Sequence, residues 1–440
     1  MGRDQMKLTF LPADKGDCFL VTGADRAHLL VDGGMRASYR DHAGPELAKL
    51  VRRGEQLDRV CVTHIDEDHI AGVIQLLDDT VAWRVHDFQL AGGNRNHDAP
   101  ETARPPAVGG IWHNGFAEQL GERLDRDIPM LETVATVYAG GETGRNRELA
   151  HRHRDLATGV ADGIRLSRRI GDRQLKISLN PEFSHKAMVV RPQPPNLRVG
   201  GLKVTLVAPF EEDLKNLQKE WNTWLRENRR ALADIRRQAA EDERRLRGND
   251  AERLVQAARA QADTLGRRTK VTAPNLASLM LLVEEGNKTA LLTADGHHAD
   301  VLRGLDRAGQ LPGGIAHVNV LKIMHHGSEH NIDAEFCRRV IADQYVFCAN
   351  GAHNNPDLRV VEAVIASRLG PHGTRRPHPE ADRPFKVWFN ASSATTDGRE
   401  AAHMREVEKL VQRLADGRQA NGRMQVEFRK VASGGLTVSP

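Results

Sequence analysis

The sequence predicts a mixed α/β (α+β) protein in which two sheets are covered by helices on their outer faces. Three features carry that prediction: short β-rich runs at the start, central segments where a strand gives way to a helical period, and further strands late in the chain. With 440 residues, 40% of them hydrophobic, the chain can bury a sizeable core.

Residues 7–11, 18–22 and 28–31 are apolar β-rich runs separated by the turn-forming stretches Asp14-Lys15-Gly16-Asp17 and Gly23-Ala24-Asp25, which predicts an antiparallel meander. Residues 59–63 form another strand that stops at His64. From 68 to 77 the apolar residues Ile70, Val73, Ile74 and Leu77 follow a helical period. Residues 92–110 have loop composition, and 143–170 reads as an Arg-rich amphipathic helix. A strand at 202–208 precedes a long run, 211–247, with almost no helix breaker, which at 1.5 Å per residue would extend about 55 Å. Gly248-Asn249-Asp250 stops it and caps a second helix through Leu265, giving a helical hairpin. Strands at 277–283 and 289–293 flank a turn at 284–288, and a helix follows at 298–308. Strands at 318–324, 345–348, 385–389 and 424–428 complete the pattern, with a helix at 403–415. The hairpin at 211–268 therefore interrupts one domain, whose halves are 1–210 and 269–440.

Composition excludes several classes. Lys and Arg total 63 against 59 Asp and Glu, so the net charge of +4 rules out a polycation while leaving room for a basic face. Cys18, Cys61, Cys337 and Cys348 are widely spaced with no C-x-x-C, which excludes a disulfide framework and a cysteine zinc ribbon and indicates a reducing compartment. The polar N-terminus lacks a secretory apolar stretch, so a cytoplasmic location is expected. No window approaches the roughly 20 apolar residues that span a bilayer, so no membrane insertion is expected. Twenty histidines, several beside acids at strand ends, direct attention to metal chemistry.

The strongest signal is Thr63-His64-Ile65-Asp66-Glu67-Asp68-His69 on the strand-to-helix loop. Alternation is expected to aim residues 64, 66 and 68 to one side. Two imidazoles crowded with two carboxylates are costly unless a cation neutralises them, and these donors suit Zn²⁺, Mn²⁺ or Fe.

This motif resembles the H-x-[HD]-x-D-H sequence of the metallo-β-lactamase-fold hydrolases, and further family motifs follow in order. Residues 28–34 (HLLVDGG) resemble the first family strand, 291–295 (LLTAD) the strand ending in a bridging aspartate, and 321–328 (LKIMHHGS) the late histidine motif. The HHGS form, the Asp at the second motif position, and Pro274-Asn275 with Ser278 narrow the resemblance toward the soluble hydrolase domain of ComEC, the DNA-uptake protein, and its stand-alone relatives. The resemblance implies an αββα sandwich and a metal-dependent hydrolase with two divalent ions, Zn²⁺ or Mn²⁺, acting as a phosphodiesterase or nuclease on DNA. By it, His64 and Asp66 hold one metal; Asp68, His69 and His325 or His326 hold the second, with His325 the first choice; and Asp295 bridges. Asp68 orients or deprotonates the nucleophile, and His326 serves the leaving group. Asp32, Asn275, Ser278 and Ser328 are expected to support these residues or touch substrate. Lys322 is a weaker substrate candidate, equally read as a solvent-facing strand lysine.

Ser184-His185 is the sole superficial match to a mid-chain histidine ligand, and His185 reads as a surface residue. His353 and Asn355 lie in a late loop where relatives place a histidine. His297 and His298 are expected at a solvated helix start, and Trp112-His113-Asn114 is expected either to close over the site or to pack. Fold membership leaves the substrate open. A small ester, lactone or cyclic nucleotide is the alternative, as is a partner-gated module of a defence or DNA-uptake assembly. In the latter, the 211–268 arm would bind a protein partner or a second copy of the chain.

Overall fold

The computed structural model describes residues 5–114, 162–163, 165–227, 272–370, 379–417, 420, 422–431 and 434–440. The first three strands, β1 (Lys7–Phe10), β2 (Phe19–Thr22) and β3 (His28–Val31), form the expected antiparallel meander. β4 (Arg59–Cys61) and β5 (Ile111–Trp112) add to it in parallel. A strand from the far end of the sequence, β14 (Leu436–Val438), covers the other edge of β1, giving a six-stranded sheet of order β14-β1-β2-β3-β4-β5.

The second sheet has eight strands. Numbered along the chain, they are β6 (Leu197–Val199), β7 (Leu202–Ala208), β8 (Met280–Glu285), β9 (Lys288–Leu292), β10 (Ala316–Lys322), β11 (Val340–Phe347), β12 (Phe385–Phe389) and β13 (Met424–Phe428). Their spatial order runs β13 to β6 without interruption, parallel from β13 to β9 and antiparallel from β9 to β6. Glu285 faces Lys288, so only Gly286 and Asn287 turn the β8–β9 hairpin, and Gly286 has φ 59°, the left-handed backbone such a turn requires.

Seven helices matter to the layers: α1 (Gly44–Arg52), α2 (Glu67–Ala91), α3 (Glu211–Glu227), α4 (His298–Arg307), α5 (Ala334–Arg339), α6 (Leu358–Leu369) and α7 (Gly398–Asp416). α1 and α2 pack Leu47, Leu50, Ile70, Val73, Ile74 and Leu77 on the six-stranded sheet. α4 to α7 cover the eight-stranded sheet through residues such as Val301, Phe336, Val361, Ile365 and Val407. Between the sheets lies a third core in which Leu8, Phe10, Val21, Leu29 and Val31 meet Leu281, Val283, Leu292, Val320 and Val346. The result is the αββα sandwich.

Several elements differ in extent from the sequence reading. α2 continues past Leu77 to Ala91 because Asp78 and Asp79, which break the apolar pattern, are accommodated by hydrogen bonds to Arg36 and Gln75. β11 begins five residues early, since Asp343 faces His317 and Asn319 of β10 and bonds both. β10 ends at Lys322, two residues before the expected end. Of the helical hairpin, 228–268 lies outside the described residues, as does the greater part of the helix expected at 143–170. No helix among the described residues is long and apolar enough to cross a membrane.

Candidate metal centre

The loops after β3, β4, β9 and β10 meet at one edge of the sandwich, so each sheet contributes two of them. Asp32, directly after β3, is wholly buried. Its Oδ1 accepts from the Thr63 backbone N–H (2.8 Å), and its Oδ2 accepts from the Thr63 hydroxyl (2.7 Å) and from His69 Nδ1 (2.8 Å). The one Thr63 hydroxyl proton is thus spent on Asp32, so the Thr63 oxygen accepts from His64 Nδ1 at 3.0 Å. Both rings are thereby fixed with a proton on Nδ1 and a lone pair on Nε2.

The other half of the site repeats this arrangement. His326 Nδ1 donates to the Cys348 carbonyl (2.7 Å), and His325 Nδ1 donates to Asn331 Oδ1 (2.7 Å). Asn331 is itself oriented by its amide donating to the carbonyls of Asp295 and Gly296. The backbone is strained at this point: Asp32, Ala294, His325 and His326 have φ of 55°, 45°, 45° and 55°, left-handed values that cost a non-glycine residue about 1–3 kcal/mol each.

The Nε2 atoms converge on Asp295. His326 Nε2 lies 3.2 Å from Asp295 Oδ2, His69 Nε2 3.4 Å and His325 Nε2 3.6 Å. His326 Nε2 is 3.8 Å from Asp68 Oδ2, and His64 Nε2 is 3.6 Å from Asp66 Oδ2. The donor atoms of His64, His69 and Asp295 all lie within 4.8 Å of one another, as do those of Asp68, His69 and His326. Two ligands about 2.1 Å from one ion at a tetrahedral angle sit about 3.4 Å apart, so these spacings suit donors that share a cation. The Nε2 atoms of His64, His69 and His326 are buried and have no hydrogen-bond partner. Such orphans are rare in a finished core, and here they face one another.

The electrostatics agree. Burial pushes the His69 and His326 imidazoles toward the neutral form, but Asp295 and a second carboxylate, Asp32 for His69 and Asp17 for His326, outweigh it and raise both. Burial raises the Asp295 carboxyl while His326, His69 and His325 hold it well below the usual carboxylate range. Asp68 is likewise held low against burial by His69, Lys15 and His326. The pocket favours positive charge at the Nε2 positions, and the donor set of imidazole and carboxylate fits Zn²⁺ or Mn²⁺.

The sequence-predicted residues occupy different places. His64, Asp66, Asp68, His69, Asp295, His325 and His326 are brought together, but His326 rather than His325 joins the three-donor groups; His325 stands nearer the mouth, with Nε2 3.4 Å from Asn275 Nδ2. The expected alternation of 64, 66 and 68 does not hold, because Asp66 is already the N-cap of α2 and Asp68 is aimed by the helix. Ser328 lines the cavity, whereas Ser278 is fully buried, is not among the residues lining it, and has a hydroxyl with no hydrogen-bond partner. Lys322 does not face solvent: it is fully buried, and its ammonium contacts Asp17 and Asp295. His185 is exposed and turned to the Leu179 carbonyl. His297 caps α4, and both it and His298 are partly covered. Trp112 packs in the inter-sheet core, and burial pushes the neighbouring His113 down to about 4.

Sequence reasoning missed Asp17, Thr63 and Asn331. Asp17 sits in a stretch with turn composition, and only its pairing with a buried lysine in the other sheet marks it out. Thr63 directly precedes the motif, which was a usable signal.

The αββα sandwich gathers imidazoles and carboxylates at one edge, which makes that edge a candidate metal centre. The model of the metallo-beta-lactamase superfamily matches residues 11–143, the portion that supplies Asp32, His64, Asp66, Asp68 and His69. A comparison with curated proteins finds no match to this chain.

Proposed function

We propose that this chain is a metal-dependent hydrolase that cleaves phosphodiesters at a two-metal centre. The observation that carries the reading is the set of three buried, unpartnered Nε2 atoms facing one another, each with its Nδ1 already engaged. His64, His69 and Asp295 would hold one ion, with Asp66 beside His64. Asp68, His69 or Asp295, and His326 would hold the other. When bound, divalent cations supply Lewis acidity and neutralise charge developing at the scissile group.

The chain's own residues do the rest. Asp68 lines the cavity and is held as a carboxylate, so it orients the attacking water and accepts its proton. His325, which stays outside the three-donor groups, has a different role. At the cavity wall, its Nδ1–H is donated to Asn331 and burial favours the neutral ring, so its Nε2 carries a lone pair that accepts a hydrogen bond from a substrate hydroxyl, and the leaving oxygen takes its proton from solvent. Ser328 offers a hydroxyl to a non-bridging oxygen.

DNA is the polymer that the sequence resemblance suggests. The cavity adds a constraint of its own: it measures about 650 Å³ and carries Asp66, Glu67, Asp68, Asp295, Glu329 and Asp357, with Lys15 the one lysine or arginine among the described residues lining it. Asp66, Asp68 and Asp295 would be offset by the ions they hold, but Glu67, Glu329 and Asp357 against Lys15 still favour a substrate with few phosphates, such as a short single strand or cyclic nucleotide, over a duplex, and they also suit a small ester. A second cavity of about 750 Å³ adjoins across Lys15 and the 349–354 loop, giving room for a polar extension of the substrate.

The test combines metal content by mass spectrometry with turnover of single- and double-stranded DNA, RNA, a chromogenic phosphodiester and a chromogenic ester in Mn²⁺, Mg²⁺ and Zn²⁺. Diester cleavage that falls about 100-fold or more in Asp68→Ala supports the proposal. Ester cleavage alone moves the assignment to the small-substrate reading, and a chain that binds no metal overturns both.

A further inference from the structure

We propose that the buried ion pair Asp17–Lys322 is a positioning device for the metal centre, setting Asp295 through Lys322 and His326 through Asp17. The inference rests on the metal-centre reading above. The two residues come from different sheets: Asp17 lies two residues before β2, and Lys322 is the last residue of β10. They are 1% and 0% exposed and form an ion pair across the sandwich, directly beneath the convergent donors.

Each member touches a donor or its backbone. The Lys322 ammonium donates to the Ala294 carbonyl at 3.0 Å and stands 3.7 Å from Asp295 Oδ1. Ala294 is one of the left-handed residues, and its carbonyl also accepts from the His325 N–H at 2.9 Å. The ammonium therefore pins a strained peptide immediately before Asp295, a conformation that persists only where its surroundings over-determine it. Asp17 Oδ1 lies 3.6 Å from His326 Nδ1, on the ring edge opposite the convergent Nε2. Next to it, Gly16 runs so close under α2 that an added Cβ would sit 1.7 Å from the Asp68 carbonyl oxygen, so the loop carrying Asp17 is locked against the motif.

Stability alone gives no reason for the pair. Two apolar side chains of similar size commonly do as well as or better than a buried ion pair, whereas removing one partner leaves an uncompensated charge. What apolar residues cannot do is hold the Ala294 carbonyl and set charge beside Asp295 and His326. Outer residues that orient ligands are worth about 10- to 100-fold in metal affinity.

The experiment measures Zn²⁺ affinity by competition with a chromophoric chelator, the Co²⁺ absorption spectrum, and the melting temperature of the metal-free protein. It compares wild type, Asp17→Asn, Lys322→Met, Lys322→Arg and the double variant Asp17→Leu with Lys322→Met. The single charge-removing variants are expected to lose about 10- to 100-fold in Zn²⁺ affinity and to change the Co²⁺ spectrum. Lys322→Arg should retain part of the affinity. The double variant should recover the metal-free melting temperature but not the affinity. If the single variants fail to fold, the double variant and Lys322→Arg carry the test. Zn²⁺ affinity and a Co²⁺ spectrum at wild-type values in the double variant would show a purely structural pair and overturn the inference. A wild-type chain that binds neither ion overturns the metal-centre reading itself, and the inference with it.

Discussion

A hydrogen bond to one histidine nitrogen fixes the tautomer and the direction in which the other is offered to a cation, and Thr63 supplies that bond to His64 by having a single proton to give. Because that proton goes to Asp32, the hydroxyl must accept from His64 Nδ1. Thr63→Val keeps a β-branched side chain in place and removes the relay, so Zn²⁺ affinity is expected to fall about 10-fold, read by chelator competition, with the far-UV spectrum unchanged. A second residue, Asp213, gives a pH signature away from the centre. Burial, with Asp300 and Glu212 nearby, pushes its carboxyl from 3.8 up to about 6, against a hydrogen bond from the Phe210 N–H. The folded state thus binds the proton more tightly than the unfolded state, and the stability this contributes is present below about pH 4 and lost as pH rises to about 6. Asp213→Asn keeps an acceptor for Phe210 and removes the titration. Calorimetry from pH 4 to 8 should show the variant gaining melting temperature over wild type up to about pH 6 and holding a constant lead above it. At this scale, the sequence exposed what is contiguous: His64, Asp66, Asp68 and His69 stand within six residues. It hid what is made by contact between distant segments, such as Asp17 with Lys322, or Asn331 between His325 and the Asp295 carbonyl, because neither partner is unusual on its own.

The elements meet as closely as they do because of two glycines. A Cβ on Gly72 would lie 1.9 Å from the Gly33 carbonyl oxygen, and one on Gly33 would lie 2.3 Å from the Val73 nitrogen. Backbone bonds from Gly33 to His69 and from Gly72 to Gly34 fill the gap, each at 2.9 Å. α2 therefore lies directly on the chain leaving β3, which brings Asp32 to His69. Gly72→Ala should force the two apart, costing about 1–3 kcal/mol or more in denaturant unfolding and lowering Zn²⁺ affinity at the same time. Strand positions were legible where apolar residues ran together, as in β3, or alternated with single polar ones, as in β7, β12 and β13, and the limits of all four match the sequence reading. They were blurred where polar side chains pair within the sheet, as at Asp343 in β11. The HHGS turn could be located but its shape could not be read, since two consecutive left-handed histidines run against their own backbone preference and are held there by Asn331 and the Cys348 carbonyl.

In the whole molecule, the centre is shared between the sheets: His64, His69 and Asp68 belong to the six-stranded side, Asp295 and His326 to the eight-stranded side. A cation held by both sides binds the folded chain and not the unfolded one, so it stabilises by mass action, about 4 kcal/mol at a thousandfold excess over Kd. Adding a chelator should lower the melting temperature by several degrees in scanning calorimetry, and Zn²⁺ should restore it. Two sheets and outer helices were legible from the order of strand and helix patterns, but the strand order was not, because it depends on returns that no local pattern announces. The longest of these is β14, whose Leu436 and Val438 face Phe10 and Leu8 of β1. During synthesis, β1 leaves the ribosome some 400 residues ahead of its outer neighbour, a wait of roughly 20 to 80 s at ordinary elongation rates. Throughout that interval the nascent chain carries an open strand edge, of the kind that invites pairing with another chain. The β1 edge of the six-stranded sheet is thus closed only after the whole eight-stranded sheet has been synthesised, and its protection depends on the speed of translation.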